Sequence, residues 1–242
     1  SIACSPKFHF LKVMYSFNYS KKLFVFIGFF LLFKNSLAGS YDDFFRALRV
    51  DDARTVQSLL NRGFDPNTPD ENGRPGLLIA LQVPSPKAAE VLIRAEQTKV
   101  DTRNDKDESP LMLAALRGEK ALVELLIWRD ADVNKSGWTP LHYAASAGHV
   151  GIAKLLVDHS AYIDAESPNG TTPLMMAAMY GTPEAVKLLI DEGADLSLKN
   201  LLGMTALDFA KQANRKDAVL LLNARGGVSG PALGSTAEAI KR

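Results

Sequence analysis

The chain repeats itself, and the length of the repeat limits what it can fold into. With Ala144, the first alanine of an adjacent pair, as a marker, equivalent positions fall at Ala47, Ala80, Ala114, Ala144, Ala177 and Ala210. The spacings are 33, 34, 30, 33 and 33 residues. A unit this short cannot bury its own apolar faces, so it needs copies of itself stacked on either side. The one interval that misses the period arises between Asn134 and Gly137, where three residues are missing and the turn is expected to be tighter than its neighbours.

The unit is plainest from Gly137 to Asp164, GWTPLHYAASAGHVGIAKLLVDHSAYID. Thr139 is a good helix N-cap, Pro140 follows it without an amide hydrogen to satisfy, and His142 stands three residues after the cap, where its side chain can reach back. Leu141, Ala144 and Ala145 give that helix a narrow apolar face of small side chains, and Gly148 ends it after about two turns. A second apolar period runs through Val150, Ile152, Ala153, Leu155, Leu156 and Val157. The unit therefore reads as two short antiparallel helices followed by an extended finger. The cap recurs as Ser109-Pro110-Leu111-Met112, Thr172-Pro173-Leu174-Met175 and Thr205-Ala206-Leu207-Asp208. After the second helix, Gly63-Phe64-Asp65-Pro66-Asn67, Asp130-Ala131-Asp132-Val133-Asn134 and Gly193-Ala194-Asp195-Leu196-Ser197 share one pattern.

With its TPLH-like cap in four repeats, a GADVN-like finger and an alanine marker recurring six times in register, the chain resembles the ankyrin-repeat family over roughly residues 41–228. The resemblance implies an all-α solenoid of about six helix-turn-helix repeats with β-hairpin-like fingers. Thr139, His142, His149, Thr172 and Thr205 then take structural, capping positions, and the two histidines are expected to hydrogen-bond between finger and helices.

The two ends read differently. Residues 1–38 hold five of the 28 basic residues and no acid, leaving 23 basic against 27 acidic in the remainder, a net charge of −4. That mildly acidic body is a poor footprint for nucleic acid. Within the first 38 residues, Met14 is the better start; Lys21-Lys22, the apolar run Leu23 to Phe33 and Ser36-Leu37-Ala38 together read as a signal peptide over 14–38, cleaved after Ala38. An uncleaved membrane anchor is the alternative reading of this leader. Export predicts a periplasmic or secreted bacterial protein with no membrane attachment after cleavage. The repeat domain is then 39–228, and residues 229–242, small and polar, read as a flexible tail. Cys4, the one cysteine, lies in the leader, so the body has neither a disulfide nor a thiol nucleophile.

Three repeats depart from type. The first lacks the cap but opens its helices with Asp42-Asp43 and Asp51-Asp52, where carboxylates suit the helix dipole. In the second, Pro75 replaces the threonine, Gly76 the proline, and Pro84 the interhelical glycine; the lost cap predicts a first helix weaker by about 1 kcal/mol. In the sixth, Lys211 replaces the second alanine, as suits a terminal repeat.

No hydrolase, metalloprotease, phosphate-loop or dinucleotide motif is present, and the expectation is a non-catalytic chain with no metal and no cofactor. The resemblance implies instead a monomer that binds a protein partner through a concave face. Mapped by register, the family's variable contact positions include Leu116, Arg117, Trp138, Met179, Tyr180, Leu201, Leu202 and Met204, and the aromatic, methionine and leucine side chains among them make an interface-like cluster across the last three repeats. The competing reading folds the finger leucines onto the C-terminal cap and sets Trp138 into the gap left by the shortened finger. The partner's identity is open: an exported protein that this chain accompanies, a toxic effector that it inhibits, or an envelope scaffold.

Overall fold

The computed structural model describes residues 39–230. The leader expected over 14–38 and the tail from 231 onward lie outside them. The chain divides after Arg46 into two compact units. Of the first, residues 39–46 are described: they are the opening turns of helix α1 (39–49), where the Phe45 ring lies 4.8 Å from that of Tyr41, tilted at 58°, and edge-on to Phe44.

The second unit continues with α2 (Ala53–Asn61), α3 (Gly76–Gln82), α4 (Pro86–Arg94), α5 (Pro110–Arg117), α6 (Lys120–Trp128), α7 (Pro140–Ala147), α8 (Val150–Asp158), α9 (Pro173–Tyr180), α10 (Pro183–Asp191), α11 (Ala206–Gln212) and α12 (Lys216–Ala224). Helices α3, α5, α7, α9 and α11 form an inner row, each packed on the next; α2, α4, α6, α8, α10 and α12 form an outer row in the same manner. Within a repeat the inner helix packs on its outer partner. The core lies between the rows, and the alanine pairs Ala114-Ala115, Ala144-Ala145 and Ala177-Ala178 are buried in it, which lets neighbouring inner helices approach closely. The family resemblance and the all-helical repeat architecture are thus both present.

The inner helices start as their caps require. Ser109, Thr139, Thr172 and Thr205 each accept from the amide three residues on, and each donates its own backbone N–H to the side chain at that position. That reciprocal acceptor is Met112 Sδ at 3.3 Å, His142 Nδ1 at 3.1 Å, Met175 Sδ at 3.4 Å and Asp208 Oδ2 at 2.9 Å. One site in the repeat thus tolerates a thioether, an imidazole or a carboxylate, because all three can accept. Helix α3 begins at Pro75, which has no N–H needing an acceptor. Its finger is held instead by Asp70, which accepts from Asn72 N, Arg74 N and the Arg74 guanidinium at 2.7–2.9 Å.

The fingers share one hydrogen-bond pattern. Asp70, Asn104 and Asn200 each accept through the side chain from the amides two and four residues later. A hairpin bond runs from the first residue's N–H to the carbonyl four residues on, as in Asn200 N to Met204 O at 3.0 Å. The turn needs a left-handed residue, supplied by Gly73, Gly170 and Gly203 and, in the third repeat, by Asp107 at φ 59°. The only β pairing outside helices among the described residues is a bridge between Pro69 and Pro75.

Two expectations are corrected here. Ser229 and Gly230, placed in the flexible tail, are hydrogen-bonded to α11: Gly230 N donates to Asp208 Oδ2 and Lys211 Nζ to Ser229 Oγ, both at 2.6 Å. His149 does not reach a finger; its Nε2 bonds to the Leu116 carbonyl at 3.1 Å, at the C-terminal end of the preceding inner helix, where the last carbonyls of a helix have no donor within it. Arg215 fills the same role in the sixth repeat, bonding to the Met179 and Gly181 carbonyls.

Candidate functional site

The shortened finger builds the most distinctive surface of the array. In other fingers the residue five before the cap, a buried or half-buried Asp, Asn or Ser, accepts the turn amides; in the shortened finger that residue is Asn134, which bonds instead to the Ser160 carbonyl and the Tyr162 amide, and the finger-tip Lys135 beside it is buried, 6% exposed. Its Nζ donates to the Ser136 carbonyl at 2.9 Å and pairs with the Asp107 carboxylate of the preceding finger. That hydrogen bond and the ammonium's charge hold the Asp107 carboxyl below its ordinary range. Lys135, at a finger-tip position in the sequence register, is therefore a tie between fingers.

Shortening the finger also brings Trp138 down onto α7. The indole is half-buried and lies edge-on to the His142 ring, centroids 5.2 Å apart at 76°. With Leu116, His142, Tyr143, Ser146 and Met176 it lines a mostly apolar groove of about 180 Å³ between the inner helices. On its other side a polar hollow of about 490 Å³ is edged by Lys106, Asp107, Lys135, Ser136, Glu166, Ser167 and Pro168.

His142 forms the floor of the groove. Nδ1 accepts from Thr139 N and Nε2 donates to the Thr171 carbonyl of the next finger at 2.8 Å, so the neutral Nε2–H tautomer ties two repeats. Burial pushes its pKa down to about 4 against the opposing pull of the Thr171 and Ala165 carbonyls. The Tyr143 hydroxyl donates to Glu108 Oε1 at 2.9 Å; burial and the adjacent carboxylate raise its pKa well above the ordinary phenol value.

The contact positions read from sequence fall into separate groups. Trp138 and Leu116 share the groove. Arg117 is exposed but engaged, its Nη1 donating to the Gln82 carbonyl at 2.8 Å. Met179 is half-buried, while Tyr180 at 59%, Leu201 at 79% and Leu202 at 66% exposure stand free at the end of α9 and on the last finger. None of these four lines the groove. Met204 is corrected: it is 6% exposed, because the hairpin register carries it past the left-handed turn at Gly203 and inward, as it does the equivalent Thr171. The leucines Leu201 and Leu202 are not folded away.

Sequence reading missed Tyr143 and Met176 as surface residues. Both occupy the fourth position of an inner helix, 33 residues apart, and that repeated register was a usable signal. Among the described residues no group of three or more His, Cys, Asp or Glu side chains is placed to hold a metal, and no helix is long and apolar enough to cross a membrane.

Comparison with known proteins agrees with this architecture. Residues 44–135, 77–167 and 161–229 each match the family described as Ankyrin repeats (3 copies). The Neurogenic locus notch homolog protein 1 of Xenopus tropicalis is 35% identical over 124 residues, 50% of this chain and 5% of that protein. The Ankyrin repeat and SAM domain-containing protein 6 of Rattus norvegicus is 32% identical over 108 residues, 43% of this chain and 12% of that protein. The human Neurogenic locus notch homolog protein 4 is 38% identical over 86 residues, 36% of this chain and 4% of that protein. The chain thus matches a small fraction of the length of each curated relative. Capping, finger register and family match converge, and the chain belongs to the ankyrin-repeat family.

Proposed function

We propose that this chain is a non-catalytic binding module that holds a protein partner on the face made by its inner helices and fingers, as an accessory of an exported protein in the periplasm. Ankyrin repeats are in general protein–protein interaction modules rather than enzymes. The observation that carries the reading to this face is the groove beside Trp138, where an indole, a tyrosine, a leucine and a methionine are gathered on a surface whose packing does not need them. Tyr180, Leu201 and Leu202 extend the apolar character toward the last finger. The export signal read over residues 14–38 supports the periplasmic setting.

The test is capture from periplasmic extract with the chain and with its Trp138→Ala, Tyr180→Ala double variant, read by mass spectrometry. A partner held at 1:1 by the parent and lost by the variant is the expected result. A partner held equally by both would move the site elsewhere. An N-terminus other than Gly39 on the exported protein would remove the predicted cleavage.

A further inference from the structure

The sixth repeat breaks the family pattern at two inner-helix positions, and the two side chains reach Ser229 and Gly230, just beyond the array. Asp208 stands in register with Met112, His142 and Met175; Lys211 stands where Ala115, Ala145 and Ala178 are buried against a neighbour. Asp208 Oδ2 accepts from Gly230 N at 2.6 Å, and Lys211 Nζ donates to Ser229 Oγ at 2.6 Å. The Thr205 hydroxyl lies 2.5 Å from the Val228 carbonyl oxygen and 2.8 Å from Asp208 Oδ2, so its single proton serves either acceptor.

The interior of the array shows what normally occupies that place. His142 Nε2, from the position of Asp208, bonds to a backbone atom of the following finger, the Thr171 carbonyl. The turn glycine Gly170 is covered by Asn200 and Leu201 of the following finger, whose backbone lies 3.2–3.3 Å from where a Cβ would stand, and Leu201 N donates to the Asn169 carbonyl at 3.0 Å. Over Gly137 the following finger instead places the Pro168 ring, 3.6 Å from where a Cβ would stand. In the sixth repeat, Gly203 is the turn glycine, and the residue against it is Gly230: a Cβ at Gly230 would collide with the Gly203 carbonyl oxygen. One residue thus meets both docking places of a following finger, the helix side chain and the turn. The bond's polarity is reversed, a carboxylate accepting an amide where an imidazole donates to a carbonyl.

We infer that Val228, Ser229 and Gly230 form a built-in clasp that takes the docking place of a seventh finger and closes the stacking end of the array. The clasp ties the last finger to α11, and its occupant is the chain's own segment, so the end does not accept a further finger while it is shut. Lys211 and Asp208 are explained as its two polar anchors rather than as general surface polarity at an end. This inference concerns the end of the array and does not depend on which partner the Trp138 groove takes.

Hydrogen exchange of the full chain, read by mass spectrometry, tests it with Gly230→Ala. The added methyl group has no space against Gly203, while nothing else in the sixth repeat is altered. Amides between 203 and 227 are expected to exchange about tenfold faster, the effect of losing one hydrogen bond to a charged group, with α5 to α8 unchanged. Gly151→Ala, in α8, where an added Cβ meets nothing within 4 Å, is expected to leave exchange in the sixth repeat as it was, and its own helix at least as well protected. Unchanged exchange in the sixth repeat of Gly230→Ala, or a rise spread evenly along the array, would overturn the clasp.

Discussion

The Trp138 indole stands edge-on against the His142 imidazole, ring centroids 5.2 Å apart. The same imidazole bridges the Thr139 amide and the Thr171 carbonyl. The side chain that lines the candidate groove therefore rests on the one that joins the fourth repeat to the fifth.

That bridge makes stability depend on pH in a defined window. The pKa of His142 is lowered from 6.5 to about 4, so between those values the unfolded chain binds a proton that the folded chain refuses. Its contribution is fully present above pH 6.5 and is lost as the pH falls toward 4, by about 3 kcal/mol in all. Urea unfolding of the chain and of His142→Gln at pH 7.5 and 4.5 checks this: the parent is expected to lose more stability than the variant across the interval, and equal losses would contradict it.

Removing a cap has a smaller effect. Thr172→Val deletes the hydroxyl that accepts from Met175 N while keeping the side-chain volume. The expected cost is about 1 kcal/mol, read as a shift in the denaturation midpoint without a change in slope.

Gly181 is expected to be far less tolerant, and not because of its dihedral angles, which lie at φ −75° and ψ −159°. A Cβ there would run into the carbonyl oxygen of Ala145 in the preceding repeat and crowd the Ala177 carbonyl at 2.9 Å. Gly181→Ala should destabilise by about 1–3 kcal/mol, a cost a thermal melt would show.

Neighbouring apolar residues on the last finger should separate cleanly. Met204→Ala removes a buried side chain and is expected to cost about 2–5 kcal/mol, whereas Leu202→Ala, on the exposed tip, should stay within about 0.5 kcal/mol. Similar costs for both, measured by chemical denaturation, would mean that the finger register differs from the one described.

The period, the helix starts and the family are legible in the residues alone, because these rest on short-range chemistry. A threonine caps an amide three residues away and a left-handed turn needs its glycine whatever lies beyond, so the caps at Thr139, Thr172 and Thr205 and the fingers could be read from one strand of text. Which apolar side chains stay exposed follows from the packing of the repeats. Met204 and Leu202 are two residues apart and alike in hydropathy, and a turn sends one inward and leaves the other out. Lys135 reads as an exposed tip until Asp107, from the preceding finger, is placed beside it. Lys211 reads as suited to a terminal repeat and Asp208 as part of a cap until Ser229 and Gly230 return to them. For Lys135, Asp208 and Lys211 the partner lies roughly twenty to thirty residues away in the chain, and a local pattern holds no record of it.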